Sequence, residues 1–432
     1  MVYMINSKLL NHLVSEIIRE HETIDITPFS YVIEADILFK EDKKRKCVEN
    51  IRDGQNRLLQ PSFFIGADWL VKNELAIYVA PKVDADNQQV DYLQILYSCL
   101  SRPDIAKYTD QLYEIKIDQK YIEIEQEQDL LTPLLIMQFL QLLKEIVKKG
   151  LKRSYYSVER NLNGRIKGKV KVSQNIKRNL INNKKTSTIC QYDVFGYDSI
   201  ENRLLKHTLK FVQRYLAQTS TLSRYTQPLV NYCQPAFVSV SDDVELNQLK
   251  TIKYNAFYKE YKEAIRIAKL IIKRFGYNLK NAKANPTGKT SVPPFWIDMS
   301  KLFEFYTLGL LKDRYGDQLI FQAQGTYGQP DFLLVDETNK LILDAKYRPR
   351  YQNEKYHIED VRQLSGYARD TKLLSKLGYI SEAEQDSAVV GCVLIYTDQK
   401  AETMLPDDLT LNKVKGFTRF YKVPIAMPLI NY

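Results

Sequence analysis

The sequence predicts a multidomain α/β protein. It has a β-rich N-terminal domain (residues 1–125), a basic middle region of mixed helix and strand (126–285), and a C-terminal domain (286–432) whose mixed sheet is flanked by helices. Three observations predict this. At 432 residues the chain exceeds one ordinary core and divides into two or three domains. Short apolar runs separated by Lys, Asn, Asp and Gly fill the first 125 residues, which is the signature of strands and turns. Near the C-terminus a strand–turn–strand signal stands between two helical patterns.

Composition narrows the classes further. The apolar share of 44% and charged share of 26% are those of a soluble globular protein. Cys47, Cys99, Cys190, Cys233 and Cys392 are scattered with no CxxC pair, so the odd count argues against a disulfide framework and for a reducing cytoplasm. Four histidines without a His-x-x-x-His or Cys/His cluster argue against a zinc site. The first residues lack the basic and apolar blocks of a signal peptide. The longest apolar stretch, 130–143, is interrupted by Thr132, Gln138 and Gln141 and falls short of the ~20 residues that span a bilayer. The expectation is a cytoplasmic protein with no membrane partner. Its net charge of +10 is concentrated: fifteen Lys and Arg against four acids lie between Lys152 and Arg214, and the remainder is near neutral. Such a segment is the electrostatic footprint of a polyanion partner.

In chain order, 31–39, 62–66 and 74–81 read as strands, and the charged run 41–46 reads as a solvated turn. Residues 129–151 read as an amphipathic helix that ends at Gly150. In the basic segment, 161–172 alternates strictly. This places Arg165, Lys167, Lys169 and Lys171 on one strand face and Ile166, Val170 and Val172 on the other. That face either contacts phosphates at regular spacing or is a solvated outer face, and the local charge excess favours contact. Lys177, Arg178, Lys184 and Lys185 extend the patch. Helices follow at 199–216 and 243–275. Residues 281–294, with Pro286, Gly288, Pro293 and Pro294, read as a linker. Within it Gly288-Lys289-Thr290 resembles the tail of a phosphate-binding loop. The required upstream glycine is replaced by Lys283 and no apolar strand precedes it, so this chain is expected to bind no nucleotide itself.

The C-terminal signal carries the chemistry. Gly328-Gln329-Pro330-Asp331 leads into Phe332-Leu-Leu-Val335, the quartet Asp336-Glu337-Thr338-Asn339 turns, and Lys340-Leu-Ile-Leu-Asp344-Ala345-Lys346 returns. A symmetric hairpin opposes Val335 to Lys340 and therefore Asp331 to Asp344, with Lys346 on the same face as Asp344. Opposed carboxylates on apolar strands destabilise a sheet unless offset, and a hard divalent cation such as Mg²⁺ or Mn²⁺ is a natural offset. Upstream, 298–311 is apolar nearly all round and contains the lone acid Glu304, which needs a cation or a donor. Downstream, Gln363 and Tyr367 lie four apart on a helical run and share a face.

Pro330-Asp331 with Asp344-Ala345-Lys346 resembles the PD-(D/E)xK nuclease superfamily, and Gln363-x-x-x-Tyr367 resembles the helix that follows the catalytic strand in its RecB-like members. Over most of its length the chain resembles the McrC family, the nuclease subunits of McrBC-type modified-DNA restriction systems. The residues that carry this are Ala80-Pro81-Lys82, Asn161-Leu-Asn-Gly-Arg165, Tyr192-Asp-Val-Phe195, Glu201-Asn-Arg-Leu-Leu-Lys206, Phe303-Glu304, Asp344-Ala-Lys-Tyr347-Arg348 and Asp360-x-x-Gln363-x-x-x-Tyr367-Ala368. The resemblance implies a restriction-endonuclease-like C-terminal fold and a Mg²⁺-dependent endonuclease, with Mn²⁺ as an alternative ion. It implies that Asp331, Asp344, Glu304 and the carbonyl of Ala345 hold the metal, that Lys346 and Gln363 position water or phosphate, and that Tyr367 packs. Arg348 and Arg350 would reach the DNA backbone. It also implies two partners, double-stranded DNA that is modified or foreign and an McrB-like AAA+ GTPase motor docked on the N-terminal domain. Two rivals stand beside it: an autonomous repair or recombination nuclease with the same site, and a non-catalytic DNA-binding adaptor.

Overall fold

A computed structural model of the protein describes residues 18–27, 36–81, 90–100, 102, 105, 108, 111–125, 129–217, 220–242, 244, 259–281, 289–336, 339–347, 357–401 and 403–429. The chain divides into two compact units, one formed by residues 1–134 with 281–432 and the other by 135–280.

Among the described residues, the first unit begins with strands β1 (Ile18–Arg19), β2 (Ile24–Asp25), β3 (Ile37–Phe39), β4 (Asp42–Asp53), β5 (Asn56–Pro61), β6 (Phe64–Val71) and β7 (Leu75–Ala80). Of the sequence-predicted strand at 31–39, residues 31–35 lie outside the described residues. Strand β4 corrects the reading of 41–46 as a solvated turn. The chain reverses at Lys40 and Glu41, both with positive φ, and then stays extended for twelve residues. Its charge is satisfied by tertiary partners: Arg45 stacks 4.1 Å from the Phe39 ring centroid and pairs with Asp298. Helix α1 (Tyr92–Leu100) and strands β8 (Tyr113–Ile115) and β9 (Ile122–Glu125) follow.

The second unit carries most of helix α2 (Leu131–Lys149), whose start is capped by Asp129 and whose end meets Gly150 at φ +90°. Strands β10 (Ser154–Asn163), β11 (Lys169–Val170) and β12 (Ser187–Gly196) form an antiparallel sheet in the order β10-β12-β11. A helical run, Val172–Asn175 and Ile176–Leu180, lies between β11 and β12. Helices α3 (Ile200–Leu216), α4 (Ser220–Cys233) and α5 (Lys259–Asn281) complete the unit. Ser199 caps α3. The sequence-predicted helix 243–275 corresponds in part to α5, and residues 245–258 lie outside the described residues.

Returning to the first unit, β13 (Lys289–Val292) pairs with β9, and β14 (Phe295–Asp298) is inserted between β6 and β8. The proposed linker 281–294 therefore ends in a strand, and the third sequence segment supplies a strand to the sheet of the first. Trp296 on β14 explains the preference: it is fully buried with Phe39, Val48, Leu59 and Val79, and its Nε1 donates to Asp68 Oδ2 at 2.8 Å. Two sheets, β2-β5-β4-β3 and β1-β7-β6-β14-β8, supply this cluster.

Helix α6 (Met299–Tyr315) starts without a break from β14, because Asp298 ends the strand and caps the helix through Lys301 N at 3.0 Å. Strands β15 (Leu319–Phe321), β16 (Phe332–Val335) and β17 (Lys340–Lys346) form an antiparallel meander. Helices α7 (Ile358–Tyr367), α8 (Thr371–Lys376) and α9 (Glu382–Ser387) lead to β18 (Gly391–Thr397), which runs parallel to β17, and β19 (Phe420–Ile425) runs parallel to β18. The result is a mixed five-stranded sheet, β15-β16-β17-β18-β19. Leu364 and Val361 of α7 pack on β18, and Leu373 and Leu374 of α8 pack on Leu333 and Ile342. All five cysteines are free and buried. Among the described residues no helix is long and apolar enough to cross a membrane.

Candidate active site

The hairpin β16–β17 has the symmetric register: Val335 faces Lys340 and Phe332 faces Leu343, so one step beyond the ladder Asp331 stands across from Asp344. Tertiary burial enforces this register, because Phe332-Leu333-Leu334 and Leu341-Ile342-Leu343 are buried on both faces of the sheet. The turn is closed by Asp336 and Asn339, which exchange hydrogen bonds (Asp336 N to Asn339 O at 3.0 Å, Asn339 N to Asp336 Oδ1 at 2.5 Å).

The sheet brings six sequence-predicted residues together. Asp331 Oδ2 accepts from Ala345 N at 2.8 Å. Burial pushes the Asp331 carboxyl well above the usual carboxylate range, and the charges of Asp344 and then Glu304 add to it. Asp344 is also raised by burial, against the opposing pull of Lys346. Lys346 Nζ lies 2.6 Å from Asp344 Oδ2 as an ion pair, and among the described residues no other donor reaches that buried oxygen. Burial lowers the pKa of the Lys346 ammonium, but Asp344, by charge and contact, together with the charges of Asp360 and Asp331 more than offsets it and holds Lys346 above its ordinary value. The same ammonium donates to Gln363 Oε1 at 3.2 Å, and Gln363 Nε2 donates to Tyr367 Oη at 3.0 Å. Tyr367 in turn backs the loop before Asp331, since a Cβ on Gly328 would lie 2.4 Å from its ring. Glu304 on α6 is buried and accepts from Lys301 Nζ at 2.5 Å and Gln322 Nε2 at 2.8 Å. These donors satisfy Glu304, the buried acid of that helix.

Three further residues belong to this cluster: Lys301 and Gln322, which the sequence reading missed, and Asp360, which it named in a motif without giving it a role. Lys301, three residues before Glu304, was legible as an i,i+3 pair. Asp360 is buried 3.8 Å from Lys346 Nζ, and its i,i+3 spacing to Gln363 was visible. Gln322 adopts φ +50°, donates to Asp331 O through its N–H at 2.8 Å and reaches Glu304 with its side chain. Nothing in the sequence announces a left-handed glutamine.

The cluster's chemistry fits a hard divalent cation. Burial raises both carboxyls, the charge of Asp344 raises Asp331 further, and the buried Asp344 Oδ2 is held only by the Lys346 ammonium. Among the described residues no three His, Cys, Asp or Glu side chains converge into a ready-made ion cage. The available donor set is Asp331, Asp344 and the Ala345 backbone carbonyl, with Glu304 adjoining.

The basic residues sit elsewhere, in the second unit, and their geometry differs from the expected strand face. Gly164 (φ +67°) and Gly168 (φ +69°) break the alternating run. Gly168 has no room for a side chain, as a Cβ would lie 2.4 Å from Gln191 O. Between Gly164 and Lys171 the strand is confined to Lys169–Val170. Arg165 and Lys167 occupy the turn, and Lys167 Nζ lies 4.5 Å above the Tyr192 ring. Arg165, Lys167 and Lys169 are exposed, while Lys171 is half-buried near Glu159. Arg348 and Arg350 lie outside the described residues. Lys289 and Thr290 stand in the β13–β9 ladder rather than in a strand–loop–helix.

A family model described as McrBC 5-methylcytosine restriction system component matches residues 64–377. Two solved structures are similar to the chain. One is a refined half-complex from the tetradecameric assembly of Thermococcus gammatolerans McrB AAA+ hexamers with bound McrC, at 16% identity, covering 96% of this chain and 94% of that one, with a TM-score of 0.40. The other is the cryo-EM structure of the Thermococcus gammatolerans McrBC complex, at 15% identity, covering 68% and 86%, with a TM-score of 0.30. A comparison with curated proteins gave no match.

Proposed function

We propose that this chain, which belongs to the family of McrBC 5-methylcytosine restriction system components, is the DNA-cleaving subunit of such a system. In this reading it is a metal-dependent endonuclease of the PD-(D/E)xK type that works with an AAA+ GTPase partner. One observation carries the nuclease reading: a half-buried and a buried carboxylate, Asp331 and Asp344, opposed across a hairpin, with a charged lysine two residues after the second.

Asp331, Asp344 and the Ala345 carbonyl would hold Mg²⁺ or Mn²⁺, with Glu304 extending the set. When bound, the ion supplies Lewis acidity toward the scissile phosphate and lowers the pKa of water. The protein's own contribution is positioning and charge. The Lys346 ammonium, held charged by its neighbours, neutralises negative charge that develops on phosphate oxygens, where a preorganised cation in a dry site is strongest. Gln363 fixes the direction of that ammonium, and Tyr367 fixes Gln363. Lys301 and Gln322 hold Glu304 in place while leaving its charge on the site side of α6. The exposed Arg165, Lys167 and Lys169 supply sequence-independent phosphate contacts.

The partner rests on family membership and on the incomplete phosphate-binding loop of this chain. The test mixes the purified chain, an McrB-like GTPase, methylated duplex DNA and Mg²⁺, with GTP or a non-hydrolysable analogue. Cleavage that needs both the partner and hydrolysis is the expected result. Efficient cleavage by the chain alone favours an autonomous nuclease, and no cleavage under any condition favours a non-catalytic adaptor.

A further inference from the structure

Lys346 stands where it must yield if a cation is to reach Asp344. Its Nζ lies 2.6 Å from Asp344 Oδ2, a buried oxygen that no other donor among the described residues reaches. Two other acceptors flank the ammonium, Gln363 Oε1 at 3.2 Å and Asp360 Oδ1 at 3.8 Å. Both belong to α7 and share a face at i,i+3. Asp360 is only 7% exposed and sits in the first turn of that helix, where the backbone dipole favours a negative charge. The mechanism above does not use it. An ammonium carries three donors on a flexible stem, so a small swing moves it from one carboxylate to the other. Without a second carboxylate the displaced ammonium would be a buried charge facing a neutral amide. It would then remain on Asp344 and compete with the ion.

We infer that Asp360 is a positioning residue that receives Lys346 when a divalent cation occupies Asp344, so that metal entry and placement of the lysine are one exchange of partners. The inference rests on the metal-dependent reading of the site, and the experiment separates the two. Mn²⁺ binding to the full chain, without DNA, is measured by calorimetry for wild type, Asp360→Asn, Lys346→Met and the double variant. The expected result is that Asp360→Asn weakens Mn²⁺ binding about tenfold more when Lys346 is present than in the Lys346→Met background, the coupling of two residues in one charge network. Equal weakening in both backgrounds would show that Asp360 merely adds negative potential, and it overturns this inference alone. A wild-type chain that binds no Mn²⁺ overturns the metal-dependent reading as well. Asp360→Glu, which keeps a charged acceptor, should retain Mn²⁺ affinity within a few-fold of wild type if the exchange operates. A loss matching that of Asn, or a loss of Mn²⁺ binding with the fold intact by circular dichroism, counts against it.

Discussion

Replacing Asp331 by Asn should make the metal-free protein more stable and the metal-saturated protein less so. Asparagine keeps an oxygen for Ala345 N–H, now accepted at 2.8 Å, and removes one of two opposed charges. Directly opposed side chains stand roughly 5 Å apart at Cβ, and two unit charges at about that distance repel by about 3 kcal/mol at an effective dielectric near 20. Lys346 beside Asp344 offsets part of this, which leaves about 1–2 kcal/mol to be recovered. For a domain of a few hundred residues that is a rise of about 3–6 °C in Tm. Magnesium at about 100 times its Kd should add about 2.7 kcal/mol to the wild type and much less to the variant. The assay is a pair of thermal melts at pH 8, in EDTA and in Mg²⁺, with cleavage by the assembled complex measured alongside. The curves should cross: variant above wild type in EDTA, below it in Mg²⁺, with cleavage lost. A variant less stable than wild type in EDTA, or equally stabilised by Mg²⁺, would refute the reasoning that charge repulsion organises this hairpin.

Two other consequences are testable. Asp331 and Asp344 both hold protons more tightly folded than unfolded, so their contribution to stability is full below about pH 3.8 and is lost as pH rises through their raised folded values. The Tm advantage of an Asp331→Asn/Asp344→Asn variant in EDTA should therefore widen from pH 5 to pH 8, and a constant gap would contradict it. Replacing Arg165, Lys167 and Lys169 by Gln should weaken duplex binding for all sequences, and each lost phosphate contact should flatten the log–log salt slope by about 0.9. An unchanged slope in a binding titration would mark the turn as simply solvated.

The hairpin register was legible because two apolar runs and a polar quartet admit one symmetric pairing, and burial on both faces makes any slip costly. Helix α6 was legible because its run is apolar nearly all round, as a buried helix must be, and α7 because Gln363 and Tyr367 recur at helical spacing. What escaped depends on partners distant in sequence. Arg45 looks like part of a solvated turn until its partner Asp298, 253 residues away, is in place. Residues 289–294 look like linker because Pro293 and Pro294 separate two four-residue strands, each paired with an earlier segment. Helix α4 escaped because Pro228 sits inside it. The basic run kept its alternation on paper, but Gly164 and Gly168 turn the chain where the pattern alone would carry it straight. At the site itself Gln322 left no trace, since its role comes from a backbone angle rather than from side-chain spacing.

The absence of any joint between β14 and α6 makes the pair a lever. Asp298 finishes a strand held on both sides by β6 and β8, and the same residue starts the helix that carries Glu304. Six residues at 1.5 Å each put that carboxylate about 9 Å down the shaft. With no loop between them, a displacement of β14 within its sheet is expected to carry the start of α6 with it, and so to reach the acid beside the opposed aspartates.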